Sequence, residues 1–250
     1  MTSMTLRGLA GVAGLVLLGM APASSAPFMI VGNDEKVTWD AEGKLVLSLP
    51  GRDSVLILDL AEPEDPKVVA TLPLKNSIVG PPVNLAIDPT NSVALVADSV
   101  DVVKEGEALR QVPDDKIHVI DLKASPPKVA ATITAGRQPS GLSISPRGDM
   151  ALVANRGDNS ISVLSINGTD VRVTGTVAMG EQVAHVAFTP DGKRALAVKF
   201  PSGKVSVLEL PNESTDGPNQ IANVFANDVV VAQTAEIGIM RRLLAALPAK

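Results

Sequence analysis

The chain has 250 residues, 45% hydrophobic and 2% aromatic, with 22 Lys plus Arg against 27 Asp plus Glu for a formal charge of -5. That balance provides no basic field for nucleic acid and too few rings for base or sugar stacking. The absence of cysteine excludes a disulfide framework, a thiolate metal site and a cysteine nucleophile, and leaves the redox compartment open.

Residues 1–25 read as a signal peptide. Arg7 supplies the positive start, "LAGVAGLVLLGM" from Leu9 to Met20 is the apolar segment, and "APASSA" from Ala21 to Ala26 offers small-residue cleavage sites. The apolar run is shorter than the roughly 20 residues of a membrane span. The expected location is therefore the periplasm or outside the cell, with no membrane span in the mature chain.

From residue 26 to 210 one pattern recurs. A short strand ("KVTWD", "NLAID", "GLSIS", "HVAFT") precedes a turn: Ala41-Glu42-Gly43, Pro89-Thr90-Asn91, Pro146-Arg147-Gly148 and Pro190-Asp191-Gly192. Each turn is followed by an apolar strand ("KLVLSL", "SVALVA", "DMALVA", "KRALAV") and then by "DSVLILDL", "DKIHVIDL", "NSISVLSI" or "GKVSVLEL". Three units add "KVVATLPL", "KVAATITA" and "RVTGTVAM"; the fourth has no recognisable last strand. Four strands in about 44 residues, without a helical period, describe one blade of a β-propeller. Sheets apolar on both faces must stack on similar sheets. The expected fold is all-β, a propeller of four-stranded antiparallel blades with about four blades present. Residues 211–250 leave the register, and from 232 onward Ile237, Met240, Leu243, Leu244 and Leu247 have helix-like spacing. The tail reads either as the end of an interrupted propeller or as a helix over an open sheet edge.

"SPRGDMALVANRGDNSISVLSI" with "VTGTVAMG", and "TPDGKRALAVKF" with "KVSVLEL", resemble the YVTN family of β-propeller repeats over about residues 37 to 210. The resemblance implies an exported, seven-bladed architecture, related to propeller subunits of periplasmic amine dehydrogenases and to lactonase-like propellers. Four blades at that curvature make a partial ring with open end sheets, which implies coverage by the tail, self-association of two chains, or aggregation.

In such a blade, strand A lines the channel, and the D-to-A and B-to-C connections leave at one end. Asp98, Asn155 and Lys199 at the ends of strand B meet Asn84, Gly141 and His185 at the starts of strand A, with Arg137, Gln138, Glu181 and Gln182 completing a polar ring. The large insertion from Ser99 to Asp114 joins the same face, where loop-borne function is expected. His185 is the one catalytic candidate, because lactonase-like propellers, by resemblance, carry a His just before this strand; it is a general base or ligand, or else a channel-lining His held by its neighbours. His118, mid-strand, reads as a satisfied core histidine. Two histidines give no ligand set for a transition metal or haem, so no metal and no cofactor are expected. Arg156 to Asp158 spell RGD but fall where a hairpin turn is required, and the acceptor motifs at Asn167 and Asn212 matter only in a host that glycosylates. No phosphate loop and no Ser-His-Asp set is readable. The expected function is a binding scaffold whose rim takes a protein or small-molecule ligand; the alternative is a lactonase-type enzyme or a propeller subunit of a periplasmic dehydrogenase complex.

Overall fold

The computed structural model describes residues 27–77, 84–210 and 225–229. The signal-peptide reading of residues 1–25 and the helical reading from 232 lie outside them. The first strands are β1 (Phe28–Asn33), β2 (Val37–Trp39), β3 (Leu45–Leu47), β4 (Ser54–Asp59) and β5 (Lys67–Leu72). The second blade is β6 (Leu85–Ile87), β7 (Val93–Glu105), β8 (Ala108–Asp121) and β9 (Lys128–Thr134). The third is β10 (Pro139–Ile144), β11 (Met150–Asn155), β12 (Ser160–Asn167) and β13 (Asp170–Ala178). The fourth is β14 (Val183–Phe188), β15 (Arg194–Lys199), β16 (Lys204–Glu209) and β17 (Phe225–Val229). Blades two to four are four-stranded antiparallel sheets in sequence order, A to D. The chain is thus an all-β partial propeller.

The A-to-B turns carry the chemistry that their spelling requires. Asn91, Gly148 and Gly192 occupy the same turn position at φ 53°, 78° and 68°, where glycine or asparagine is favoured. Each N–H closes the turn onto the carbonyl of Asp88, Ser145 or Thr189.

Two parts of the repeat differ from the sequence reading. In the first unit, "KVTWD" and "KLVLSL" are not blade strands: β2 and β3 form a separate two-stranded hairpin. The blade is instead β1-β4-β5, and Asn33 pairs with Ser54 just as Asn155 pairs with Ser160. β1 is therefore strand B, and the hairpin is an insertion before strand C. Its tip, with Gly43 at φ 77°, imitates the A-to-B turn, which explains the misreading. Trp39 at 60% exposure and Leu45 at 44% are too open for a blade interior. In the fourth unit the missing last strand is supplied by β17, which pairs with β16 from Val205↔Val229 to Glu209↔Phe225.

The core lies between blades. Leu152, Ala154, Ile161 and Val163 of the third blade pack against Val183, Val186, Ala195, Ala197 and Leu208 of the fourth. The next interface inward buries Leu95, Ala97, Ile117 and Val119 against Ala151, Val153 and Leu164. Strand alternation makes this possible: β11 sends even-numbered side chains forward and odd-numbered ones back. By register, Leu196 and Val198 repeat Leu152 and Ala154, yet they are 43% and 42% exposed. At the other end of the arc, Met29 and Val68 are exposed on the first blade.

Candidate functional site

One end of the sheets is built from interlocked connections. Arg156 N–H donates to the Gln138 carbonyl and Gly157 N–H to the Arg137 carbonyl, both at 3.0 Å. The Arg137 N–H donates to Asp158 Oδ2 at 2.7 Å. The D-to-A connection of one blade is thereby fastened to the B-to-C turn of the next, which places the RGD tripeptide in a hairpin turn. The Arg156 guanidinium lies 4.7 Å from the centre of the Phe200 ring, carrying the link on to the fourth blade. The insertion from Ser99 to Asp114 lengthens β7 and β8 into a two-stranded ribbon rather than a loose loop.

On this end the residue that ends the blade portion of each strand B is polar: Asn33 is half-buried, whereas Asp98, beyond which β7 runs on into the ribbon, Asn155 and Lys199 are buried. Asn155 Nδ2 donates to Ser160 Oγ at 3.1 Å and to Ser162 Oγ at 2.8 Å. Its Oδ1 has no hydrogen-bond partner. Lys199 approaches Glu181 at 4.0 Å, and Glu181 accepts from Ser202 Oγ at 2.8 Å. Gln138 stands at φ 56° and borders a recess of about 220 Å³ with Val100, Gln111, Val112 and Pro113. Arg137 is exposed, and Gln182 accepts from the Phe200 N–H through its carbonyl at 2.9 Å.

At the strand A positions, Asn84 Nδ2 donates to the Ala97 carbonyl at 3.0 Å, leaving its Oδ1 without a partner. Gly141 faces His185 directly. A Cβ on Gly141 would touch the ring Nδ1 and lie 2.6 Å from the His185 Cα, so only glycine allows strands A of adjacent blades this close. The His185 ring is half-buried, its Nδ1 has no partner, and burial pushes its pKa down, favouring neutral imidazole. Gly141 with His185, and Lys199 with Glu181, are thus brought into contact. No hydrogen bond among the described residues joins either pair to Asp98.

Asp98 belongs to a cluster that the sequence reading did not assemble. Lys36 is completely buried beside the first blade; its Nζ donates to Asp53 Oδ2 and, at 2.6 Å, to the Asn76 carbonyl, with Asp34 at 3.3 Å. Asp98, also fully buried, has no hydrogen-bond partner at either oxygen among the described residues. Burial pushes its carboxyl up to about 7, with Asp114 and Asp101 adding to the rise and Lys36 and Lys75 opposing it. The available signal was "FMIVGN" ending in Asn like "MALVAN", which marks β1 as a strand B and puts Lys36 on a rim insertion. His118 is buried; its Nδ1 meets Thr132 Oγ1 at 2.9 Å, and burial pushes its pKa down. Among the described residues no three acidic, His or Cys side chains are grouped to hold a metal ion. Among the described residues there is no helix long and apolar enough to cross a membrane.

The family model described as lactonase, 7-bladed β-propeller, matches residues 113–227. No curated protein matches the chain. Among solved structures, the dihydro-heme d1 dehydrogenase NirN in complex with DHE is similar with TM-score 0.51 and 20% identity, over 73% of this chain and 34% of that one. Hydrazine synthase of Kuenenia stuttgartiensis gives TM-score 0.48 and 18% identity over 69% of this chain and 57% of that one. A candidate 6-phosphogluconolactonase from Bacteroides fragilis gives 0.42 and 12% over 84% of this chain and 83% of that one. The chain spans little more than half of the hydrazine synthase chain and a third of NirN. At these identities the likeness is one of fold.

Proposed function

We propose that this chain is an exported propeller that binds a protein or small-molecule ligand on the face made by its B-to-C and D-to-A connections, without catalysis of its own. One observation carries the reading: on that face the blades bear different polar residues with side-chain atoms that lack a partner among the described residues, namely Asn84 Oδ1, both Asp98 oxygens, Asn155 Oδ1 and Nδ1 of the half-buried His185. Buried polar atoms are normally satisfied, so a set of exceptions on one face suits a ligand-facing role. Arg137, Gln138, Glu181 and Lys199 supply the charged and amide groups around it. Recovery of partners from a periplasmic extract should fall at least tenfold when Arg137→Ala is combined with replacement of residues 99–114 by a two-residue turn; equal recovery overturns the rim assignment.

The lactonase reading is favoured by the family match over residues 113–227 together with the free Nδ1 of His185. A lowered pKa keeps that imidazole able to accept a proton at neutral pH. Hydrolysis across a lactone panel should then drop by 10²-fold or more in His185→Ala, a magnitude typical of lost general-base catalysis. Activity indifferent to that substitution removes His185 from the mechanism.

Self-association through the open end sheets follows from the exposed Leu196, Val198 and Phe200 at one end and Met29 and Val68 at the other. Light scattering should show a species larger than a monomer, reduced by Leu196→Glu with Val198→Lys. A monodisperse wild-type monomer contradicts it.

A further inference from the structure

We propose that the joint between the first and second blades is a proton-operated latch, in which Asp98 packs as a neutral carboxylic acid and loss of its proton loosens the first blade from the second. Ala94, Val96 and Asp98 alternate along one face of β7, and the first two pack on Val55 and Ile57 of the first blade. Asp98 therefore closes the rim end of an apolar interface.

Lys36 and Lys75 favour its charge through space, but among the described residues no group donates a hydrogen bond to it. The buried Lys36 acts on it only through space, since its three N–H groups face Asp53, Asp34 and the Asn76 carbonyl. Lys75, from the connection after β5, pairs at 2.6 Å with Asp101 and at 3.7 Å with Asp114 of the ribbon. On β8, Lys116 pairs with Asp115, and His118 is turned to Thr132. Five carboxylates thus surround two ammonium groups between the blades, counting Asp34, Asp53, Asp98, Asp101 and Asp114 against Lys36 and Lys75. Among the described residues neither Asp98 oxygen has a donor, at zero exposure. A proton is the cation that fits there without needing room. The neighbouring blades solve the same position with a neutral amide: Asn33 donates to Ser54 Oγ at 3.2 Å, and Asn155 donates to Ser160 and Ser162. Among these equivalent positions only Asp98 is a carboxyl group, Lys199 of the fourth blade being an ammonium with Glu181 at 4.0 Å.

The direction follows from linkage. The carboxyl is raised from 3.8 to about 7 in the closed joint, so opening releases a proton between those values. Closure is favoured in acid, weakens as pH rises toward neutrality, and is constant above it. His118 works the other way, since its lowered pKa costs closure when pH falls below its usual 6.5. Comparison with Asp98→Asn cancels that contribution.

Hydrogen exchange of backbone amides in residues 28–59 and 93–98, read by mass spectrometry on the full chain from pH 5 to 8, tests the latch. After correction for intrinsic exchange, protection in Asp98→Asn relative to the natural chain should rise about tenfold per pH unit up to about pH 7 and then level off. A ratio independent of pH overturns the proposal. A carboxyl-carbon NMR titration of Asp98 in the natural chain decides independently of the variant: a midpoint near 7 supports the latch, and one near 4 overturns it.

Discussion

Replacing Lys36 by Met should lower the stability of the protein by about 3–5 kcal/mol, the cost of breaking a buried ion pair from one side. The ammonium is completely enclosed, and its partners Asp34 and Asp53 have side-chain exposures of 0% and 2%. Methionine matches the aliphatic stem but removes the ammonium from the Asn76 carbonyl and from two enclosed carboxylates, Asp34 and Asp53, which keep backbone N–H donors but lose their counter-charge. Burial alone pushes the Lys36 pKa down; the hydrogen bond to Asp53 and the charges of Asp98, Asp34 and Asp53 more than reverse this and hold it above the usual value. A raised lysine pKa means that the lysine's own titration is complete below 10.5 and matters only in strong alkali, whereas Asp98 ionises near 7 beside it, so the loss should be larger at pH 8 than at pH 6. Urea unfolding followed by circular dichroism measures it through the midpoint. Combining Lys36→Met with Asp53→Asn should recover part of the loss; a single variant within 1 kcal/mol of the natural chain would mean that the pair is not enclosed in solution.

Gly141→Ala is expected to cost about 3 kcal/mol, at the upper end of the usual range for overpacking a filled core. The added methyl would lie 2.6 Å from the His185 Cα and 2.8 Å from the Ala184 carbonyl oxygen, both backbone atoms that move only if the two inner strands separate. The neighbouring link, Ser140 Oγ to the Ala184 carbonyl at 2.8 Å, would be strained by the same movement. A double variant with His185→Ala relieves the contact with the ring but not with the backbone, so it should restore only a minority of the loss. Full rescue would show that the ring alone sets the spacing. Thermal unfolding monitored by calorimetry separates these outcomes.

Local signals were sufficient for most of the architecture. Turns such as Pro146-Arg147-Gly148 and strands such as "NSISVLSI" declare themselves within a few residues, because a positive-φ position and an apolar pleat are properties of short segments. Two complete blades, the first three strands of the fourth, and the series Asp98, Asn155 and Lys199 on strands B were therefore legible from spacing alone. The first blade was not, since a hairpin tip and an A-to-B turn use the same residues and differ only in which strands they join. β17 was equally hidden: "FANDV" follows Glu209 after 15 residues and pairs with β16 through backbone hydrogen bonds, which leave little mark on side-chain identity. The enclosed charges are the extreme case. Lys36, Asp53 and Asp98 are separated by 17 and 45 residues in sequence, and each looks like an ordinary surface residue in its own segment. Their burial arises only when two blades close on one another, because desolvation depends on everything that surrounds a charge and not on the residues beside it in the chain.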